Sequence, residues 1–126
     1  MTNKGKTVVL VDDEPDILEA LAILLADEGY TVISDNGKNV EKKVWQHKPD
    51  IILLDVLLSG VNGGDITKHI KQNPLSAHIP IILMSAHPNA EKITKDSGAD
   101  AFMPKPFEVK EILEKITEVL NKNSTN

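Results

Sequence analysis

Three short apolar runs stand out along the chain: Val8 to Val11, Ile51 to Leu54 and Ile81 to Met84. Each has the length of a strand, is rich in β-branched residues and is unbroken rather than alternating. Such runs suit strands buried on both faces of a parallel sheet. Residues 31–34 and 101–103 are weaker strand candidates. Between the runs the period changes to that of a helix. Ile17, Leu18, Leu21, Leu24 and Leu25 fall on one stripe that ends at Gly29. Val40 and Val44 precede Pro49, and Ile66 and Ile70 precede Pro74. Residues 91–97 form a short helical stretch closed by Gly98. Val109, Ile112, Leu113, Ile116, Val119 and Leu120 mark the face of a last helix, beyond which the polar residues 121–126 are expected to fray. Strand and helix therefore alternate five times, the pattern of an α/β domain with helices on both faces of a parallel sheet.

The residue types at the strand ends change the picture. Asp12, Asp13 and Glu14 come directly after the first run, Asp55 after the second, Ser85 after the third, and Lys105 just after the weak fifth strand. Ligands of open α/β sheets bind beyond the carboxyl ends of the strands. Asp12, Asp13, Asp55, Ser85 and Lys105 are thus expected to meet at one edge. Each alone has an ordinary use: Asp13 as a cap before Glu14 and Pro15, Asp55 as a strand end, Ser85 as a turn residue, Lys105 as a solvated charge. Asp12 is not needed as a cap. The coincidence of all five overrides those uses. Three carboxylates together repel, and a divalent cation such as Mg²⁺, which takes oxygen ligands, resolves the repulsion. By that argument, deleting Asp13 would not lower metal-free stability and would raise it if the repulsion is large. A carboxylate can also attack phosphorus to give an aspartyl phosphate, with Lys105 and Ser85 holding the phosphoryl oxygens.

Composition narrows the classes. The chain has 126 residues, enough for one domain over 1–126 with a core from about 7 to 120, and no cysteine. Its net charge is −5 and all 14 basic residues are lysines; with 3% aromatics, this chain is not expected to bind nucleic acid. No apolar run approaches the roughly 20 residues that span a bilayer, and the polar start has no signal-peptide core, so no membrane association and a cytoplasmic location are expected. His47, His69, His78 and His87 lack metal-ligand spacing; His87, two residues after Ser85, is a candidate modulator of phosphate hydrolysis rather than a base. Trp45 and the leucine stripes are read as core. Gly60, Gly63 and Gly64 make no phosphate loop, because no Gly-Lys-Ser/Thr comes after them.

The segments Val11-Asp-Asp-Glu-Pro-Asp-Ile-Leu18, Ile52-Leu-Leu-Asp55, Ile82-Leu-Met-Ser-Ala86 and Gly98-Ala-Asp-Ala-Phe-Met-Pro-Lys-Pro-Phe107 resemble those of response-regulator receiver domains. The resemblance runs from about Thr7 to Leu120 and implies a flavodoxin-like (βα)5 fold, strand order 2-1-3-4-5. It implies a switch phosphorylated on Asp55 from the phosphohistidine of a sensor histidine kinase or phosphotransfer protein. Asp13, Asp55 and the Leu57 carbonyl would hold Mg²⁺, or Mn²⁺ in its place, with Asp12 acting largely through water. Ser85, Lys105 and the N–H groups of Val56 and Ala86 would bind the phosphoryl group, and Phe102 would be the switch aromatic. A cis Lys105–Pro106 bond is implied as well. The chain departs from the family in having Ser59 where proline is common, a stretch from Ser85 to Gly98 about two residues shorter than usual, and a switch residue without a hydroxyl. The signal would pass to an unidentified output partner. Alternatives are a phosphorelay intermediate or a piece of a longer multidomain regulator. A haloacid-dehalogenase-like phosphohydrolase is disfavoured because Leu57 stands where its second acid would be. A flavin module is disfavoured because Asp12, Asp13 and Glu14 replace a hydroxyl-rich phosphate loop. No enzymatic role beyond the chain's own phosphorylation and dephosphorylation is expected.

Overall fold

The computed structural model describes residues 5–124; residues 1–4 and 125–126, which hold most of the polar start and the end of the polar tail, lie outside the described residues. The elements are β1 (Thr7–Val11), α1 (Pro15–Asp27), β2 (Thr31–Asp35), α2 (Val40–His47), β3 (Ile51–Asp55), β4 (Leu57–Leu58), β5 (Val61–Asn62), α3 (Gly63–Gln72), β6 (Ile81–Ser85), α4 (Ala90–Ser97), β7 (Ala101–Pro104) and α5 (Val109–Ser124). β2-β1-β3-β6-β7 form one parallel sheet, the expected 2-1-3-4-5 order among the main strands. The one addition is the two-residue pair β4–β5, an antiparallel hairpin just beyond Asp55.

The unbroken apolar runs are explained by the two cores they feed. Successive side chains of a strand point to opposite faces. Val8, Leu10, Ile51, Leu53, Ile82 and Met84 pack on one side with Leu21 and Leu25 of α1 and Ile112 and Ile116 of α5. Val9, Val11, Ile52, Leu54, Ile81 and Leu83 pack on the other with Val40, Val44, Ile66, Ile70 and Ala90 of α2 to α4. With apolar side chains required on both faces, no position in these strands is left for a polar residue until the strand ends. That places the first polar residues, Asp12, Asp55 and Ser85, at the carboxyl edge.

Several helical positions differ from expectation. Ile17 and Leu24 are exposed, as is Ile23, because α1 meets the sheet through the narrower stripe of Leu18, Leu21, Ala22 and Leu25. Trp45 is 53% exposed rather than core. Val40 and Val44 take the inward positions of α2, and the residue after Val44 lies about 100° further round the helix. Val109 is likewise exposed at the start of α5. That helix runs on to Ser124, so most of the polar tail is helical rather than frayed. α4 ends at Gly98 in the left-handed conformation (φ +87), as its sequence suggested.

Candidate functional site

The ends of β1, β3, β6 and β7 bring the five singled-out residues together. Lys105 Nζ lies 2.9 Å from Asp12 Oδ2 and 2.9 Å from Asp55 Oδ2. The backbone holds it there: the Lys105 N–H donates to the Ser85 carbonyl at 3.0 Å, and Lys105–Pro106 is a cis peptide. Asp12 is 1% exposed, Ser85 3% and Asp55 6%, so three polar side chains are buried beside the cores. Carboxylate oxygens of Asp12, Asp13 and Asp55 lie within 4.8 Å of one another. That spacing and donor chemistry suit a hard divalent cation bound through oxygen, and the cluster could hold one.

The other hydrogen bonds assign nearly every carboxylate oxygen. Asp12 Oδ1 accepts from the Glu14 N–H at 3.0 Å and Asp55 Oδ1 from the Leu57 N–H at 3.1 Å. Asp13 Oδ2 accepts twice from Ser59, from N–H at 2.9 Å and from Oγ at 2.7 Å. Asp13 is therefore not the cap of α1. Glu14 holds the cap position without a side-chain bond, and Asp12, thought unnecessary there, satisfies the nearby N–H. Ser85 Oγ accepts from the His87 N–H at 2.9 Å, which leaves its own hydrogen available to donate. Exposed His87 is oriented by Asn89, whose N–H donates to its Nδ1 at 3.1 Å.

The Val56 N–H, expected to face the phosphoryl group, points into the sheet instead. It continues the sheet by donating to the Met84 carbonyl at 2.9 Å and is not available at the site. Leu57 begins the hairpin next to the acids, Ala86 is exposed directly after Ser85, and Phe102 is half-buried in β7 opposite Leu83.

Electrostatics separates the acids. Burial pushes the Asp55 carboxyl above the usual range, with Lys105 opposing and Asp12 adding to the rise. The bond from the Ser59 side chain pulls Asp13 below that range despite some desolvation. Burial acts against the Lys105 charge, yet its bonds to Asp55 and Asp12 prevail and hold its pKa above the ordinary lysine value. The penalty on the Asp55 charge thus comes chiefly from burial, and repulsion from Asp12 is a minor part of it. Asp13 is stabilised as a carboxylate, so its removal is not expected to raise metal-free stability.

Two contributors were not read from the sequence. Ser59 stands out in the sequence only as a missing proline, although its N–H and hydroxyl are the signal. Gly63 was noted only as part of a glycine pattern. A Cβ there would lie 2.2 Å from the Asp55 carbonyl oxygen and 2.9 Å from the Val56 Cα, because the Gly63 N–H donates to the Val56 carbonyl at 2.8 Å. Gly63→Ala is expected to cost roughly 1–3 kcal/mol by overpacking and to slow phosphorylation by displacing Asp55; thermal melting with a phosphorylation time course checks both.

Residues 8–117 match the family described as response regulator receiver domain. The chain belongs to that family. Among relatives of this receiver domain, the phosphate regulon transcriptional regulatory protein PhoB of Pseudomonas aeruginosa is 33% identical over 121 residues, covering 94% of this chain and 53% of its own length. The signal receiver domain of a signal transduction histidine kinase from Syntrophus aciditrophicus superposes with TM-score 0.87 at 25% identity, covering 97% of this chain and 95% of that one. The chemotaxis response regulator CheY4 of Vibrio cholerae, 24% identical over 92% of this chain and 99% of its own, shares the fold with TM-score 0.85. This receiver domain spans about half the length of the curated relatives it matches. Among the described residues, no helix is long and apolar enough to cross a membrane.

Proposed function

We propose that this receiver domain is phosphorylated on Asp55 in a Mg²⁺-dependent reaction with the phosphohistidine of a sensor histidine kinase or phosphotransfer protein. The observation that carries this reading is Lys105 Nζ at 2.9 Å from both Asp12 and Asp55, partners 93 and 50 residues away in sequence. In transfer, an Asp55 carboxylate oxygen forms the new O–P bond as the N–P bond of the phosphohistidine breaks, and the electron pair stays on the imidazole. The Lys105 ammonium and the Ser85 hydroxyl then hold phosphoryl oxygens, with the Ala86 N–H beside them. Asp12, Asp13, Asp55 and the Leu57 carbonyl would hold Mg²⁺, or Mn²⁺ in its place, and the ion would offset charge on the transferring group.

Phosphorylation withdraws Lys105 from the Asp55 carboxylate toward the phosphoryl group. A movement of Lys105 is passed to β7, which carries Phe102 three residues earlier in the chain. That coupling supports a two-state switch that signals through an output partner. As a switch in a kinase pathway the chain would act in the cytoplasm and catalyse only its own phosphorylation and dephosphorylation. Exposed, apolar Leu57 supports this over a phosphohydrolase, since it cannot protonate a leaving group.

Incubation with acetyl phosphate and Mg²⁺, followed by intact-mass measurement, tests the reading. One added phosphoryl group per chain that disappears when a chelator is present is expected. Labelling that persists without divalent metal would count against it.

A further inference from the structure

Ser59 lies in the turn between β4 and β5, exposed to solvent, yet both of its polar groups converge on one atom of the metal cluster. Its N–H and its Oγ donate to Asp13 Oδ2 at 2.9 and 2.7 Å, across 46 residues of sequence. Of the other carboxylate oxygens in the cluster, Asp12 Oδ2 and Asp55 Oδ2 accept from Lys105, Asp12 Oδ1 from Glu14, and Asp55 Oδ1 from Leu57. Asp13 Oδ1 is the one of the six that takes no hydrogen bond from another described residue.

We propose that Ser59 is a positioning residue for the metal site: its paired hydrogen bonds fix Asp13 through Oδ2 and reserve Oδ1 for the divalent cation. The inference rests on the Mg²⁺ reading given above. Two donors on one oxygen restrict both rotation of the carboxylate and travel of the side chain, so little order remains to be imposed when the ion arrives. Partners outside the coordination sphere that orient ligands in this way are typically worth about 10–100-fold in metal affinity. The same bonds tie the β4–β5 turn to the cluster. A proline at position 59 would have neither an N–H nor a hydroxyl and could not form the clamp.

The test is calorimetric titration of the metal-free chain with Mg²⁺, for wild type and for Ser59→Ala, Ser59→Pro and Ser59→Thr. Ser59→Ala keeps the N–H, and its Mg²⁺ affinity is expected to fall by about threefold to tenfold; Ser59→Pro loses both donors and falls by tenfold or more, within the range for such partners. Ser59→Thr keeps both donors and should bind as wild type does. Phosphorylation by acetyl phosphate should shift to higher Mg²⁺ in the first two variants, with the rate at saturating Mg²⁺ nearly unchanged. A merely structural role would lower melting temperature and saturating rate together and leave affinity in place. Ala and Pro variants that bind Mg²⁺ as tightly as wild type, or more tightly, overturn the proposal. Ser59→Ala decides the matter if the proline variant does not fold. A wild type that binds no Mg²⁺ would instead overturn the metal reading beneath it.

Discussion

Asp55→Asn is expected to abolish phosphorylation and, in metal-free protein, to raise the melting temperature. The amide nitrogen and oxygen are too weakly nucleophilic to attack phosphorus, so the labelling loss should be complete rather than partial. The stability gain comes from the other property of Asp55. The residue is 6% exposed, and burial lifts its pKa although Lys105 is in contact. The folded state therefore holds this proton more tightly than the unfolded chain, whose carboxyl titrates near 3.8. Stability from this group accordingly declines as pH rises from that value through the raised folded pKa, and at neutral pH the ionised form is a burden. Asparagine has the same shape, can accept the Leu57 N–H, and leaves Lys105 its bond to Asp12. A gain on the order of 1 kcal/mol, within the range of single stabilising substitutions, is expected, equivalent to about 4 °C for a domain of this size. Thermal melts from pH 4 to 7 check the sign. The wild-type deficit relative to the variant should grow with pH across the acid range and then level off. A variant less stable than wild type throughout would contradict it.

Lys105→Ala is expected to act in the opposite direction. Without the ammonium, the buried carboxylates of Asp12 and Asp55 face each other with no cation between them. Removing one partner of a buried ion pair costs about 3–5 kcal/mol. The lysine side chain retains 18% exposure, so water screens part of this and the lower end applies. The corresponding fall in melting temperature is about 10 °C. Mg²⁺ should restore more stability to this variant than it adds to wild type, because the ion takes over the missing neutralisation. Phosphorylation should slow by about 10²–10³-fold, the usual effect of removing one donor to developing negative charge. A variant that melts with wild type, or that is labelled at the wild-type rate, would remove Lys105 from the role proposed for it.

The fold was legible because burial on both faces leaves a plain mark: Val8 to Val11, Ile51 to Leu54 and Ile81 to Met84 have no polar position, and each feeds two cores. The edge residues were legible for the same reason, since a polar residue directly after such a run can only stand at the strand end. Helix faces were less so. Trp45 and Ile17 are apolar without being core, because a helix lying on a sheet buries a narrower arc than its apolar residues occupy. Backbone commitments were not legible at all. That the Val56 N–H is spent on Met84, and that Asp12 rather than Asp13 satisfies the Glu14 N–H, depends on strand register and turn geometry that residue type does not encode. Ser59 shows in the sequence only as a departure from a family pattern, which says nothing of where its own donors point. Its own donors in fact make a new contact.

Chemical mapping of the modified residue locates the phosphoryl group, which is expected on Asp55. An aspartyl phosphate is an acyl phosphate, and borohydride reduces it to homoserine while ordinary carboxylates are left intact. Peptide sequencing by mass spectrometry after phosphorylation with Mg²⁺ and borohydride trapping should find homoserine at position 55 and at no other aspartate. Homoserine at position 12 or 13, or a phosphoryl group that survives borohydride on a serine or histidine, would contradict the account.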